Sequence, residues 1–426
     1  MSKTIRLVTG TTDEVYSNDV KHYEENRGFN ALKKIVHMDR EDIINELIEA
    51  NLRGKGGAGF PAGLKWKYLY KVEEEPKYIV CNADEGEPGT FKDRLFMKND
   101  PLIVLEGMLI AAYVFNSKDG YVYIRGEYRD LVAGFQKAID NFKEAGYLGK
   151  NIMGIEGFDF NVHIFTGAGA YVCGENSTLL NSIEGKAGRP RIKPPRLSEV
   201  GLFGKPTLVN NVETFANIPI VFDRGAKYFK EIGTETSGGT KIICISGHAK
   251  NRGIYEVPMG TNLHDIIYDE ELGGGTSTGR EVKFVHIGGQ SGFIAFPEQF
   301  NISFDNDTLQ ENGLSMGTGA IVVADETVCL VDYLKTVFKF FSDETCGKCT
   351  PCREGNKQMY LILNKFSNGT ATEADIELLR DLSYTMNQSS FCGLGQSSSN
   401  ALVSVLKHRE DELKAHINHD CKKCFK

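Results

Sequence analysis

The chain has 426 residues, 41% hydrophobic and 25% charged. That is more than one hydrophobic core usually holds, and it predicts two to four domains of ordinary globular composition. The formal net charge of −8 argues against a general nucleic-acid binder but leaves room for local basic patches that meet phosphates. Residues 1–10 hold no apolar signal-peptide core, and the longest apolar run, 101–115, is too short to span a bilayer and contains Glu106. Any membrane contact is therefore expected through partners.

Charged and apolar residues alternate at helical spacing over 39–52. Residues 54–63 form a glycine-rich loop, whose backbone can approach a ligand closely and turn N–H groups toward phosphate. Lys55 and Lys65 add charge there, and Phe60, Trp66 and Tyr68 offer stacking surfaces. The loop is neither a Walker A sequence nor a GxGxxG turn after a strand. A strand is predicted over 78–82, followed by the acids Asp84, Glu85 and Glu87. Acids so close together suit ribityl or ribose hydroxyls and a carboxamide better than phosphate; a solvated acidic turn is the plainer alternative. A buried helix is expected over 101–115, with Asp100 as N-cap and Pro101 in its first position.

A strand at 121–125, a helix at 128–145 and a strand at 160–165 follow. A second glycine-rich turn at 167–174 then leads into a helix at 175–184, the arrangement that binds anions. Asn210 and Asn211 can each donate and accept hydrogen bonds, to a ligand or as helix caps. Alternating strands and helices imply a mainly parallel sheet covered on both faces. Past 237–239 the pattern shifts to strands at 241–246, 282–287 and 320–324 with a short helix at 263–268, a small α+β module. From 327 onward only helices are expected, at 328–341, 354–366, 373–386 and 400–417, with Thr372 and Asp375 resembling a capping box.

Of ten cysteines, Cys346, Cys349 and Cys352 follow one another at CxxCxxC spacing, and Cys392 lies downstream. Three thiolates on a tight loop can hold three corners of an iron–sulfur cube, and a distant fourth closes it. Zinc also accepts four thiolates, but it usually takes two separated CxxC knuckles. Lys348 and Arg353 stand close enough in sequence to tune a cluster's potential. Cys421 and Cys424 form a lone CxxC in a Lys-rich tail. Metal binding there would need His416, His419 or a partner chain, and a solvated, redox-sensitive tail is the preferred reading. Cys81, Cys173, Cys244 and Cys329 are most simply small buried hydrophobes.

The glycine-rich loop, the acidic segment, the glycine-rich turn, the Asn210–Asn211 segment and the cysteine cluster occur together and in order. Together they resemble the NADH-binding, FMN-carrying F-type subunit of respiratory complex I (NADH:quinone oxidoreductase) over about residues 20–410. The resemblance implies a multidomain α/β fold. It comprises an N-terminal helical arm (1–64), a Rossmann-like FMN/NADH-binding domain (65–237), a ubiquitin-like α+β domain (238–325) and a four-helix bundle carrying a [4Fe–4S] cluster (326–426). Position within the shared motifs implies that Gly54, Lys65, Asn82, Asp84, Tyr171, Gly174, Glu175, Asn210, Asn211 and Thr214 hold FMN. It implies that Gly57, Phe60, Tyr68, Glu85 and Glu87 face NADH, with Glu87 positioning nicotinamide. Cys346, Cys349, Cys352 and Cys392 would ligate the cluster. The implied setting is cytoplasmic and peripheral to the inner membrane, beside a thioredoxin-like [2Fe–2S] subunit and further iron–sulfur subunits of the peripheral arm.

Two positions depart from the family pattern. Asn176 replaces a glutamate and Arg196 a phenylalanine. Both lie toward the adenosine half of the dinucleotide in the family, so weaker discrimination against NADPH is expected. The main alternative is a diaphorase subunit of an NAD-linked hydrogenase or formate dehydrogenase. Two further alternatives are a quinone- or polysaccharide-binding structural protein, and a zinc-stabilised nucleotide-binding regulator.

Overall fold

Helix Pro101–Phe115 begins where its sequence requires. The Asp100 side chain accepts from the Ile103 amide at 3.4 Å, and Pro101 fills the first turn. Every residue of it except Tyr113 is buried, so it is a core helix. Glu106 survives there because the Tyr23 hydroxyl donates to its carboxylate. These features belong to a computed structural model that describes residues 4–10, 19–26 and 29–425. Residues 1–3, 11–18 and 27–28 of the expected N-terminal arm, and residue 426, lie outside the described residues.

The chain divides into two compact units. The first takes the chain up to Gly86, then Phe91–Ile243 and Ile254–Gly260; the second takes Glu87–Thr90, Cys244–Gly253 and everything from Thr261. The first unit is built on β1 (Tyr78–Ala83), β2 (Asp119–Ile124), β3 (Asn161–Thr166) and β4 (Thr207–Asn211). They form one sheet in the order β3-β2-β1-β4, and every neighbouring pair is parallel. The chain winds outward from β1 to β3, then returns to place β4 on the other side of β1. That reversal opens a crevice at the carboxyl ends of β1 and β4, where doubly wound sheets bind ligands.

Helix Val212–Arg224 leaves β4 with Asn211 as its N-cap, the side chain accepting from the Glu213 amide at 3.0 Å. The Asn210–Asn211 segment reads from sequence as ligand contacts or helix caps; the structure makes it a strand end and a cap together. Pro206 before this five-residue strand and Pro219 inside the next helix hid both elements. Helix Val212–Arg224 packs against Pro101–Phe115 at Gly107, where an added Cβ would lie 2.1 Å from the Phe215 carbonyl oxygen. Gly107→Ala must therefore push the two helices apart. Overpacking of this kind costs about 3 kcal/mol, and a lowered thermal midpoint with normal secondary structure is the expected result. An unchanged midpoint would show that the helices are not held this closely.

β5 (Thr240–Gly247) and β6 (Gly253–Pro258) follow, then β7 (Val282–Ile287), β8 (Phe293–Ala295) and β9 (Ala320–Asp325). In the second unit β9 pairs in parallel with Cys244–Gly247 of β5 and antiparallel with β7, which pairs antiparallel with β8. Helix Leu263–Tyr268 is present as expected. Four long stretches of helix then share a core with Leu334, Phe338, Met359, Leu363, Leu379 and Leu402. They are Leu330–Glu344, Thr350–Ser367, Glu373–Ser389 and a final pair, Asn400–His408 and Glu410–Ile417. The capping box of Thr372 and Asp375 is formed. The single helix expected over 400–417 is broken at Arg409 (φ −144°, ψ 37°). The guanidinium of Arg409 binds Glu298 at 2.7 and 2.8 Å and lies 4.3 Å over the Phe296 ring, which fixes the break. Among the described residues no helix is long and apolar enough to cross a membrane.

Candidate functional site

In the first unit, register brings the expected residues together. Cys81 stands opposite Asn210, and Asn82 opposite Asn211, at the carboxyl ends of β1 and β4. The Asn82 amide donates to the Gly174 carbonyl at 2.9 Å and accepts from the Asp84 amide at 3.1 Å. It thus ties the acidic segment to the glycine-rich turn. Tyr171 sits beside Gly86 of that segment. The glycine-rich loop closes on itself through Gly54 N–H to the Phe60 carbonyl at 2.9 Å, with Gly57 at φ +125°. The Lys55 amide donates to Thr214 Oγ1 at 2.9 Å, which fixes the loop to the start of helix Val212–Arg224. Lys65 donates to the Val209 carbonyl at 3.0 Å, and burial, then Lys193, lowers its ammonium to about 8. Loop backbone, carboxamides and a lysine at the ends of parallel strands are a donor set that fits a phosphorylated flavin.

Two expected residues have structural duties. Glu175 caps helix Asn176–Ile183 through the Thr178 amide at 2.9 Å and pairs with Lys193 at 3.0 Å. Burial raises its carboxyl, but Ser177, Lys193 and Thr178 outweigh burial and hold it below its usual range. Glu85 is buried, and its carboxylate accepts from the Asp93 and Arg94 amides at 2.8 and 3.1 Å and from Tyr128 at 3.0 Å. Burial, then Asp93, pushes it up to about 7. Phe60 and Tyr68 are exposed, 6.3 Å apart, and the Arg196 guanidinium lies 4.6 Å over the Tyr68 ring. Glu87 lies in the second unit, where Ser291 donates to both of its carboxylate oxygens at 3.2 and 2.9 Å.

Sequence reasoning missed a buried charge network in the first unit. Lys92 contacts Asp93 at 2.6 Å and Glu213 at 3.0 Å; Lys241 also pairs with Glu213. The other oxygen of Asp93 accepts from Asn211 at 2.5 Å, which joins the network to the end of β4. Burial pulls Lys55 down to about 7, against the attraction of Glu213. The only sequence signal was Lys92-Asp93-Arg94, separated by four residues from Glu87, the last acid of the acidic segment.

In the second unit, Cys349 caps helix Thr350–Ser367, Cys352 lies in its first turn, and Cys392 caps the short helix Gly393–Ser397. The Phe391 amide donates to Cys349 Sγ at 3.5 Å, bringing the Cys392 loop to the CxxCxxC loop. A Cβ on Gly395 would sit 2.8 Å from that of Cys352, so only glycine permits this approach. Burial, with the neighbouring Cys349, Cys392 and Cys346 adding to it, pushes the Cys352 thiol up to about 11. The Asn356 amide at 3.4 Å and the Thr345 hydroxyl at 3.2 Å supply hydrogen bonds to its sulfur. Four convergent cysteines with N–H donors around the sulfurs fit an iron–sulfur cube.

An α/β unit with a flavin-type crevice, joined to a cysteine-bearing helical region, defines an oxidoreductase flavoprotein subunit. Residues 47–220 match the Nuo51 FMN-binding domain, and 332–416 match the NADH-ubiquinone oxidoreductase-F iron-sulfur binding region. The chain is 43% identical over 396 residues to the F 2 subunit of NADH-quinone oxidoreductase of Rhizobium meliloti, covering 93% of each protein. It is 42% identical over 422 residues to the NADP-reducing hydrogenase subunit HndC of Solidesulfovibrio fructosivorans, covering 99% of this chain and 85% of that one. A solved NAD+-reducing [NiFe]-hydrogenase in its H2-reduced state superposes with a TM-score of 0.83 at 32% identity. The match spans 93% of this chain but only 66% of the hydrogenase chain. The chain belongs to the family of NADH-quinone oxidoreductase F subunits, which includes hydrogenase subunits, and its cofactors are FMN and a [4Fe–4S] cluster, with NADH as substrate.

Proposed function

We propose that the chain oxidises NADH at FMN and delivers electrons singly to its [4Fe–4S] cluster, feeding the peripheral arm of a respiratory NADH:quinone oxidoreductase. The observation that carries this reading is the pairing of Asn82 with Asn211 where the strand order reverses. FMN, when bound, accepts a hydride and releases its two electrons one at a time, and the cluster relays them. The chain's own residues bind and orient. Gly54, Lys65, Asn82, Asp84, Tyr171, Gly174, Asn210, Asn211 and Thr214 hold the flavin, and Glu175 does so through the helix start it caps. Gly57, Phe60 and Tyr68 face the dinucleotide, with Glu85 fixing the segment behind them. Glu87, held by Ser291, positions nicotinamide at reacting distance.

In this reading residues 1–64 are a helical arm, 65–237 the Rossmann-like domain, 238–325 a ubiquitin-like module and 326–426 a four-helix bundle. The partners are a thioredoxin-like [2Fe–2S] subunit and the further iron–sulfur subunits of the arm, on the cytoplasmic side of the membrane. A second reading, a hydrogenase diaphorase, draws support from the match to HndC over nearly the whole chain. Affinity purification of the full chain with its native neighbours separates the two: quinone-reductase subunits support the first, a hydrogenase catalytic subunit the second. No bleaching of flavin absorbance by NADH in either preparation would end both.

In this reading Arg196, whose guanidinium lies over the Tyr68 ring, offers a cation to an adenosine 2′-phosphate. Arg196→Phe combined with Asn176→Glu is expected to raise the NADH/NADPH ratio of kcat/KM by about tenfold or more. Steady-state rates with both donors decide it, and an unmoved ratio removes Arg196 from specificity.

A further inference from the structure

We infer that Cys329, His416, Cys421 and Cys424 form a second metal centre, a structural zinc site that anchors the C-terminal tail to the helical region. Each residue offers one ligand atom, and the four atoms all lie within 4.8 Å of one another. Cys424 Sγ is 3.8 Å from Cys329 Sγ, and Cys329 Sγ is 3.3 Å from His416 Nε2. A tetrahedral zinc ion with bonds of about 2.3 Å to sulfur and about 2.0 Å to nitrogen spaces its ligands at about 3.8 Å (S···S) and about 3.5 Å (S···N). These two separations are therefore close to their metal-bound values, and no pair in the set lies beyond 4.8 Å.

The imidazole is set for ligation. His416 is buried, and its Nδ1 lies 3.1 Å from the Phe366 carbonyl oxygen. A carbonyl can only accept, so Nδ1 carries the proton and the Nε2 lone pair faces the sulfurs. Zinc-bound histidines are oriented in this way. Cys329 caps helix Leu330–Glu344, whose N-terminus favours a thiolate. Cys421 and Cys424 sit in a tight turn closed by the Cys424 and Phe425 amides on the Cys421 carbonyl at 3.1 and 3.0 Å. The Phe425 ring packs on His416 and His419 at 5.5 and 4.8 Å. Asp332 Oδ2 lies 3.7 Å from Cys424 Sγ, and its charge is offset by Lys335 at 3.3 Å. Three thiolates and one neutral imidazole select zinc among divalent ions, and binding releases three thiol protons to water.

This centre is separate from the four cluster cysteines, and it changes how the tail CxxC reads. A lone pair of cysteines in a solvated tail joins the nearby His416 and Cys329, far back in the sequence, in one ligand set.

The test uses the full chain with its cofactors, with zinc as the probe. Elemental analysis should find about one zinc per chain beside the cluster iron, and zinc X-ray absorption should fit three sulfurs at about 2.3 Å and one nitrogen at about 2.0 Å. The double variant Cys421→Ser/Cys424→Ser should lose at least about nine-tenths of the zinc while keeping iron and flavin. Tryptic cleavage after Lys422 and Lys423 should speed up at least about tenfold in it. Zinc retained by that variant, oxygen ligands in the absorption spectrum, iron in place of zinc, or a Cys329–Cys424 or Cys421–Cys424 disulfide in the native chain would each overturn the assignment. If the variant is insoluble, the absorption spectrum of the unaltered chain decides.

Discussion

Glu213→Gln is expected to destabilise the first unit by about 3–5 kcal/mol, because it leaves the buried Lys241 without its direct counter-charge and Lys92 paired with Asp93 alone. Glu213, Lys92 and Lys241 are each buried, with Lys92 at 3.0 Å from the carboxylate and Lys241 in direct contact. The Ile242 amide donates to the other oxygen at 3.0 Å. Glutamine keeps the shape and that hydrogen bond but removes the charge. Burial alone would raise the Glu213 carboxyl, yet Lys241, Lys92 and Lys55 outweigh it and hold it at about 2. A carboxyl depressed in the folded state contributes stability that is complete above its unfolded value, about 4.3, and is lost as pH falls toward 2. The native chain should therefore lose stability over that acid window, and the variant should show a flatter profile there. Flavin release on heating, followed by fluorescence from pH 2 to 7, measures both. Adding Lys241→Met should recover much of the loss, since an apolar replacement removes the unpaired charge. A double variant as damaged as the single one would show that packing, not charge, is at fault.

That network also marks the limit of what the sequence discloses. Periodicity found the core helix Pro101–Phe115 and the strands β1 and β7 because their residues are apolar throughout or alternate cleanly. The glycine loops and the CxxCxxC run were legible because few other roles need those residues at that spacing. β4 was hidden because a five-residue strand directly after Pro206 carries too little pattern. Lys92, Glu213 and Lys241 were hidden because a buried charge and a surface charge look alike in sequence; only the fold shows that they neutralise one another. Glu175 and Glu85 show the reverse difficulty. Their motif positions point to ligands, and nothing in the sequence signals that their carboxylates also hold helix starts. The tail cysteines and His416 were seen as possible ligands, but Cys329 was not, since it lies far back in helical sequence with no local spacing to link it to them.

Cys392→Ala is expected to separate the two halves of the chemistry. Cys392 caps the short helix Gly393–Ser397, and the Phe391 amide beside it donates to Cys349 Sγ at 3.5 Å. Removing its thiol takes the fourth ligand from a cube whose other three corners lie on one loop and the helix that follows it. Iron should fall from about four per chain to three or fewer, and the NADH-reduced cluster signal in electron paramagnetic resonance should vanish. The FMN-binding match ends at residue 220, in the other unit, so FMN content and the stopped-flow rate of flavin bleaching by NADH should stay within about twofold of the native chain. Electron delivery to a one-electron protein acceptor should drop more than about 100-fold. Preserved iron and an unchanged cluster signal would mean that Cys392 is not a ligand. Loss of flavin bleaching alongside the iron would mean that the second unit is needed for hydride acceptance as well as for the relay. A zinc ion in place of iron at these four cysteines would be met by full bleaching and no paramagnetic signal in the native chain itself, so the native spectrum must be recorded first.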